Sequence, residues 1–276
     1  MRRITLPTLD AAVARKVLVG FVRDEIRKVG LNKAVLGLSG GIDSALSCFI
    51  AAEALGPENV LAVRMPYRTS SQGSLDHAQL VIDQLGVQSE TVEITDMVEG
   101  WRRLSPDMSP LRAGNIMARC RMITLYDRSS VFGGLVVGTG NKTELMLGYT
   151  TLFGDQGCAL NPIGDLFKTQ IRALSAEMSV PRVIVDKAPS ADLWEGQTDE
   201  QEMGLSYDEV DQLLHVLVDL RYSVEEAIDL GFDPSYVNRI WRMVSRNQFK
   251  RRYPLIAKVS GRTVGADFLY PRDWGV

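Results

Sequence analysis

Apolar residues at Val13, Val17, Leu18, Phe21, Val22 and Ile26 recur every three or four positions, which predicts an amphipathic helix over 9–29. The pattern then changes. Residues 34–38 and 60–65 are short runs with nearly every position apolar, the mark of strands covered on both faces. Residues 89–94 predict a third strand and 134–138 a fourth. Helical patterns lie between them: 44–55, stopped by Gly56-Pro57; 74–85, stopped by Gly86; 115–132; and a further helix starting over 141–147. Strand and helix alternate throughout this half, so the pattern predicts an α/β fold with a parallel sheet and helices on both faces. After Asp165 the pattern is mostly helical, over 167–178, 207–220, 224–230 and 235–248, with Ser206, Ser223 and Asp233-Pro234 as start signals. Segment 189–204, PSADLWEGQTDEQEMG, is polar, acidic and aperiodic. It reads as a mobile solvated loop, with a lid that orders on substrate as the second reading.

Composition changes this picture little. The chain has 276 residues, 45% hydrophobic and 24% charged, with a formal net charge of -3, which describes a globular protein able to bury a core unaided. That charge predicts neither a nucleic-acid partner nor an anionic membrane surface, and Lys250-Arg251-Arg252 is too short a basic run to make a binding face. Cys48, Cys120 and Cys158 are three in number and irregularly spaced, fitting neither a disulfide framework nor a zinc site. With no apolar run near the ~20 residues of a membrane span and no secretory leader pattern, the expected location is cytoplasmic. His77 and His215 stand outside every motif and are read as surface or packing residues.

The first stretch with chemistry is SGGIDS, Ser39 to Ser44, between a strand and a helix. Backbone N–H groups there and the helix N-terminus form an anion site. The dinucleotide fingerprint GxGxxG is absent, and so is the lysine of GxxxxGK[ST]. An acid, Asp43, sits at the helix start instead. A carboxylate aimed at bound phosphates repels them unless a divalent cation intervenes, so Asp43 points to magnesium. The second stretch, VVGTGNKTELMLGYTTLFGDQG, Val136 to Gly157, leaves a buried strand at its carboxyl end, where ligands of such sheets gather. Thr139 offers a hydroxyl at the turn, and Glu144 lies one helical turn in, placed to share a metal with Asp43.

SGGIDS resembles the pyrophosphate loop of the N-type ATP pyrophosphatases (the PP-loop superfamily), which cleave ATP between the α- and β-phosphates. Further pieces, LAVRMPY, GNIMARCRM, GTGNKTELMLGY, FGD, NPIGDLFKTQIR, APSADLW, DEQEMGLSYDEVD and NQFKRRYP, are similar to those of NAD synthetases and run in that family's order from Ser39 to Pro254. The resemblance implies an adenine nucleotide alpha-hydrolase-like, Rossmann-like fold in a single domain over 1–276. Within it, 30–190 would form the nucleotide-binding core and 206–254 a helical segment. It implies formation of NAD from nicotinic acid adenine dinucleotide (deamido-NAD), ATP and ammonia through an acyl-adenylate, releasing AMP and pyrophosphate. Gly37, Leu38, Ser39, Gly40, Gly41, Ile42, Asp43 and Ser44 would hold the phosphates, with Asp43 and Glu144 on Mg2+. Arg64, Thr139, Lys168 and Ser190 match ATP-contacting positions. Asn115, Arg119, Glu144, Leu152, Phe249 and Lys250 fall at positions of the dinucleotide site, and Asp43, Glu144 and Lys168 carry the chemistry. Ammonia-dependent members usually have lysine at Leu152, aspartate at Ala159 and histidine at Phe249, and the TLFGD form is closer to glutamine-dependent members. The chain has no room for their glutaminase domain, so ammonia is either free or supplied by a separate glutaminase chain. The family is homodimeric; the helix over 9–29 would serve that interface or pack on its own sheet.

Two rivals remain at this level. A tRNA-modifying enzyme of the same superfamily would want catalytic cysteines and a basic surface. A nucleotide-binding regulator without activity would have no need of Asp43, Glu144 and Lys168 together.

Overall fold

The apolar runs form the strands they predict, in a computed structural model that describes residues 4–187, 204, 206–252, 254–265, 267 and 268. Strand β1 is Ala34–Gly37, β2 Val60–Arg64, β3 Gln88–Thr91 and β4 Leu135–Val136. They form a parallel sheet in the order β3-β2-β1-β4, with Ala34 opposite both Val60 and Leu135. A bridge between Val137 and Leu160 continues the edge beyond β4. β1 and β2 are buried along almost their whole length. β3, with the sequence QSET, is an exposed edge, where polar side chains are tolerated.

Alternation along β1 divides the core. Ala34 and Leu36 face α1 (Ala11–Lys28), α2 (Ile42–Leu55), α3 (Gln72–Leu85) and α7 (Lys168–Glu177), in a cluster that includes Val22, Ile50, Val81 and Leu174. Val35 points to the other face, with Leu61 and Val63, against α4 (Thr95–Leu104) and α5 (Pro110–Phe132) through Val98, Met117 and Cys120. α2 is hydrophobic nearly all round because it is the central buried helix.

The third strand ends at Thr91 rather than 94, the fourth is Leu135–Val136 rather than 134–138, and three helical regions depart further from the sequence expectation. α5 begins at Pro110, five residues before 115, because Ser109 caps it and proline is suited to the first helical position. α4 is an element not expected from the sequence; Val98 is its one buried residue, while Met97, Trp101 and Leu104 stay exposed. The helix expected over 207–220 is α-helical as α9 (Tyr207–Leu214) and widens to a π turn over His215–Asp219. His215 is buried there, its Nδ1 2.9 Å from Asp219 Oδ2.

Helix α6 (Lys142–Leu147) follows β4, and α8 (Arg182–Val185) follows α7. The C-terminal helices α9, α10 (Val224–Asp229) and α11 (Pro234–Arg246) share a third apolar cluster with Leu147 of α6 and Phe167, the residue before α7. They therefore brace the two helices that start nearest the end of β4. The basic run is structural here: Arg251 donates to the carbonyls of Met146 and Val244, serving the ends of α6 and α11, and Lys250 donates to Gly148 and Thr150. Among the described residues no helix is long and apolar enough to cross a membrane. The loop expected over 189–204 lies, but for Gly204, outside the described residues.

Candidate active site

β1 has β2 on one side and β4 on the other, so the chain leaves the sheet in opposite directions after β1 and after β4. This is the switch point at which a crevice opens at the carboxyl ends of parallel strands. The glycine turn follows β1, and the GTGNKTE turn follows β4. Two distant segments thus meet at one place.

The glycine turn is knitted by its serines. Ser39 N donates to Ser44 Oγ at 3.1 Å, Gly41 N to Ser39 Oγ at 3.2 Å, and Ser44 Oγ to Gly41 O at 3.0 Å. Gly40 has φ +79°, and a Cβ built there would lie 2.0 Å from Ser74 O. Only glycine fits. Gly41, the residue before α2, brings no side-chain cap, so the first N–H groups of that helix remain directed at the crevice.

Asn141 ties the two turns together. Its Oδ1 accepts from Glu144 N at 2.9 Å, and its own N donates to Glu144 Oε2 at 3.4 Å, a capping box that orients the glutamate. Its Nδ2 donates to Asp43 Oδ1 at 3.0 Å. Lys168, the first residue of α7, is 3% exposed; its Nζ lies 2.5 Å from Asp43 Oδ2 and 3.3 Å from Glu144 Oε1. Its ammonium also sits 5.4 Å from the centre of the Tyr207 ring. Asp43, Glu144 and Lys168, separate in sequence, are one cluster.

The cluster lies in the wall of a cavity of about 540 Å3. Gly37, Leu38, Ser39, Gly41, Ile42 and Ser44 line it, as do Arg64, Thr139, Asn115 and Lys250. Gly40 lies behind the turn, against Ser74. Arg119, Leu152 and Phe249 are not on the wall: Arg119 donates to the Leu152 carbonyl at 3.2 Å, and Phe249 is exposed. Ser190 lies outside the described residues. Arg64 donates through Nη1 to Gln79 Oε1, and Asn115 Oδ1 accepts from Thr151 Oγ1.

Sequence reasoning did not single out Asn141, buried behind the two turns, or three polar residues of the cavity wall. Asn141 was legible as half of an Asn-x-x-Glu cap. Arg121, whose Nε donates to Met65 O, sits inside the GNIMARCRM stretch. Asp155 accepts from Thr151 N at 2.6 Å, and burial pushes its carboxyl above the usual range despite that bond and nearby Lys250. Burial holds the Lys250 ammonium below its ordinary value, with Asp155 opposing. Lys187, hydrogen-bonded to Ser74 Oγ at 3.0 Å, gave no local signal.

The donor set is hard oxygen plus one cation. Among the described residues no group of three His, Cys, Asp or Glu side chains could hold a metal alone. Two carboxylates already share one positive charge, so a second cation placed there would need ligand oxygens from elsewhere, such as phosphates.

Comparisons with known proteins agree with this architecture. The NAD synthase family model matches residues 14–254. The NH(3)-dependent NAD(+) synthetase of Trichlorobacter lovleyi is 57% identical, over 97% of this chain and 98% of that protein. That of Chlorobaculum parvum is 54% identical over 96% of each. Among solved structures, the NH3-dependent NAD synthetase from Campylobacter jejuni, in complex with the nitrate ion, superimposes with a TM-score of 0.78 at 31% identity, covering 91% of this chain and 100% of that one. With the fold, the switch-point cluster and the relatives in agreement, the chain belongs to the NAD synthase family.

Proposed function

We propose that the chain is an ammonia-dependent NAD synthetase, converting deamido-NAD, ATP and ammonia to NAD, AMP and pyrophosphate. The observation that carries this reading is the meeting of Asp43, Glu144 and Lys168 beside the glycine turn, at the switch point of the sheet. The relatives above, named for ammonia, favour ammonia over glutamine as nitrogen donor and answer the glutamine-like TLFGD form.

A carboxylate is a poor electrophile, so the reaction needs an activated intermediate. The nicotinate carboxylate oxygen bonds to the α-phosphorus as the bond from that phosphorus to the β-phosphate bridge breaks. Pyrophosphate departs into the Gly37–Ser44 turn, whose N–H groups and helix start meet its charge. Lys168, aimed at the same point, offsets charge growing on the leaving group. Ammonia then forms the C–N bond, the carbonyl–AMP bond breaks, and a proton is released. Arg64 and Thr139 hold the nucleotide; Ser190 is assigned the same role. Asn115 and Lys250 face the dinucleotide. Arg119, Leu152 and Phe249 belong where the dinucleotide runs beyond the cavity toward a second copy of the chain.

The two carboxylates fit Mg2+ carried on phosphate oxygens, with Asp43 and Glu144 as the protein ligands. When bound, the ion supplies Lewis-acid neutralisation of the triphosphate. A homodimer belongs to the same reading, supported by the exposed Val13, Val17 and Phe21 along one face of α1. So does a single domain in which 206–254 braces the α/β core, working in the cytoplasm without a glutaminase partner.

Product analysis tests this. Purified chain with deamido-NAD, ATP, Mg2+ and ammonium should yield NAD with equal AMP and pyrophosphate. AMP without NAD would mean that nitrogen comes from a missing partner, and no AMP would refute the assignment.

A further inference from the structure

Helix α9 holds a buried carboxylate that the chemistry above does not use. Asp211 is 1% exposed, and its Oδ1 accepts from Thr143 Oγ1 at 2.5 Å. Its Oδ2 accepts from Thr169 N at 2.9 Å and from Thr169 Oγ1 at 2.8 Å. Thr143 Oγ1 in turn accepts from Lys168 N at 3.0 Å. Thr143 precedes Glu144, and Lys168 and Thr169 open α7, so one side chain ties the glutamate's helix to the lysine's. Phe167, the residue before α7, has no side-chain acceptor, which leaves those N–H groups to be satisfied from another element.

Burying a charge this deeply is unfavourable unless every lone pair is used, and burial does push the Asp211 carboxyl above the usual range against its three hydrogen bonds. Its three donors, the Thr169 N–H and the hydroxyls of Thr143 and Thr169, would lose their acceptor with an apolar residue in its place. What the carboxylate adds is position. Tyr207, one turn earlier on the same face of α9, lies against the Lys168 ammonium, so α9 touches the head of the lysine and, at Thr169, the residue that follows it.

We propose that Asp211 is a positioning residue for the adenylation step, fixing the start of α7 so that Lys168 meets the phosphate chain beside Glu144; this rests on the function proposed above. The test is Asp211→Asn. Asparagine has one acceptor oxygen, so if that oxygen keeps the Thr169 pair, its NH2 faces Thr143 Oγ1, which can then no longer donate and must accept from it as well as from Lys168 N.

With folding intact, kcat should fall about 10- to 100-fold, while the KM for ATP stays within about twofold. In a Lys168→Met background the same change should alter kcat by less than about twofold, since both act through one group. An unchanged kcat, or a full loss persisting without the lysine, would overturn the proposal. A crystal structure of the variant gives a readout independent of turnover: the Lys168 ammonium should move off Asp43 by about 1 Å, the scale of misplacement that costs about 100-fold. An ammonium still at Asp43 would overturn the proposal even if wild type made no NAD, an outcome that by itself refutes only the functional reading. Should Asp211→Asn fail to fold, Thr143→Val carries the same test with the same expected loss.

Discussion

Asn141 is fully buried, and its side chain makes the hydrogen bonds that connect Asp43 to Glu144. Replacing it with alanine removes the cap on α6, which costs about 1 kcal/mol. It also removes the hydrogen bond to the Asp43 carboxylate, worth about 1.5–3 kcal/mol. Asp43 keeps Lys168 and is 17% exposed, so the lower end applies. The sum is about 2.5 kcal/mol, a fall in Tm of roughly 5–10 °C at about 2–4 °C per kcal/mol for a chain of this size. Asn141→Asp separates the two contributions. It keeps the acceptor for Glu144 N but sets a second carboxylate where the amide donated, at 3.0 Å from Asp43. At an effective dielectric of about 20, that repulsion reaches roughly 5 kcal/mol, an upper bound because the pair can share a proton instead. A shared proton means a folded-state pKa raised above the unfolded value. The aspartate variant should therefore match wild type most closely at low pH and lose stability as pH rises through the raised value. Calorimetric melting of both variants from pH 4 to 8 is the assay. A Tm for Asn141→Ala within 2 °C of wild type, or a pH-independent gap for Asn141→Asp, would refute the coupling described here.

Gly40→Ala should fail more completely, because the residue needs a positive φ and its Cβ would strike Ser74 O at 2.0 Å; strain and overpacking cost about 2–5 kcal/mol together, and nucleotide binding by calorimetry should be lost. Lys168→Met should lower kcat by about 100- to 1,000-fold, as expected when one charge-stabilising donor is removed, with quench-flow showing the loss in AMP formation. Asp219 gives a pH effect. Burial works to raise its pKa, but hydrogen bonds from His215 and Lys142 hold it below the ordinary 3.8. Its folded pKa is depressed, so its stabilisation is present above pH 3.8 and lost as pH falls through the lower value; Asp219→Asn should flatten the acid limb of the Tm profile. Cys48, its thiol pushed up to about 12 by burial, should resist thiol reagents at pH 8 until the chain unfolds, while Cys158, on the cavity wall, should react slowly and be shielded by a nucleotide analogue.

What could be read from the sequence followed from how local each cause is. β1 and β2 were legible because burial on both faces leaves a nearly unbroken apolar run, and α2 because its apolar residues are broken only by small or isolated polar ones before Gly56-Pro57 stops it. The glycine turn was legible because a positive φ and a close approach to Ser74 demand glycine whatever surrounds them. α4 was passed over although Val98, Trp101 and Leu104 recur at helical spacing, because the stretch is short and mostly polar around them. The site divides the same way. Asp43 and Glu144 could be paired because each follows a strand that the alternation places in one parallel sheet, and the strand order then sets them on either side of the switch point. The meeting of Lys168 with both acids depends instead on where α7 starts. That start is held by Thr143, from α6, and Asp211, from α9, 25 and 42 residues away along the chain. No period or spacing rule reaches across such a distance. In isolation Asp211 looks like one acid in a solvated helix, and only the packed structure shows it 1% exposed with donors from two other segments. The residues that hold Lys168 in place are thus harder to find than the lysine itself, because their contacts exist only once three helices have come together.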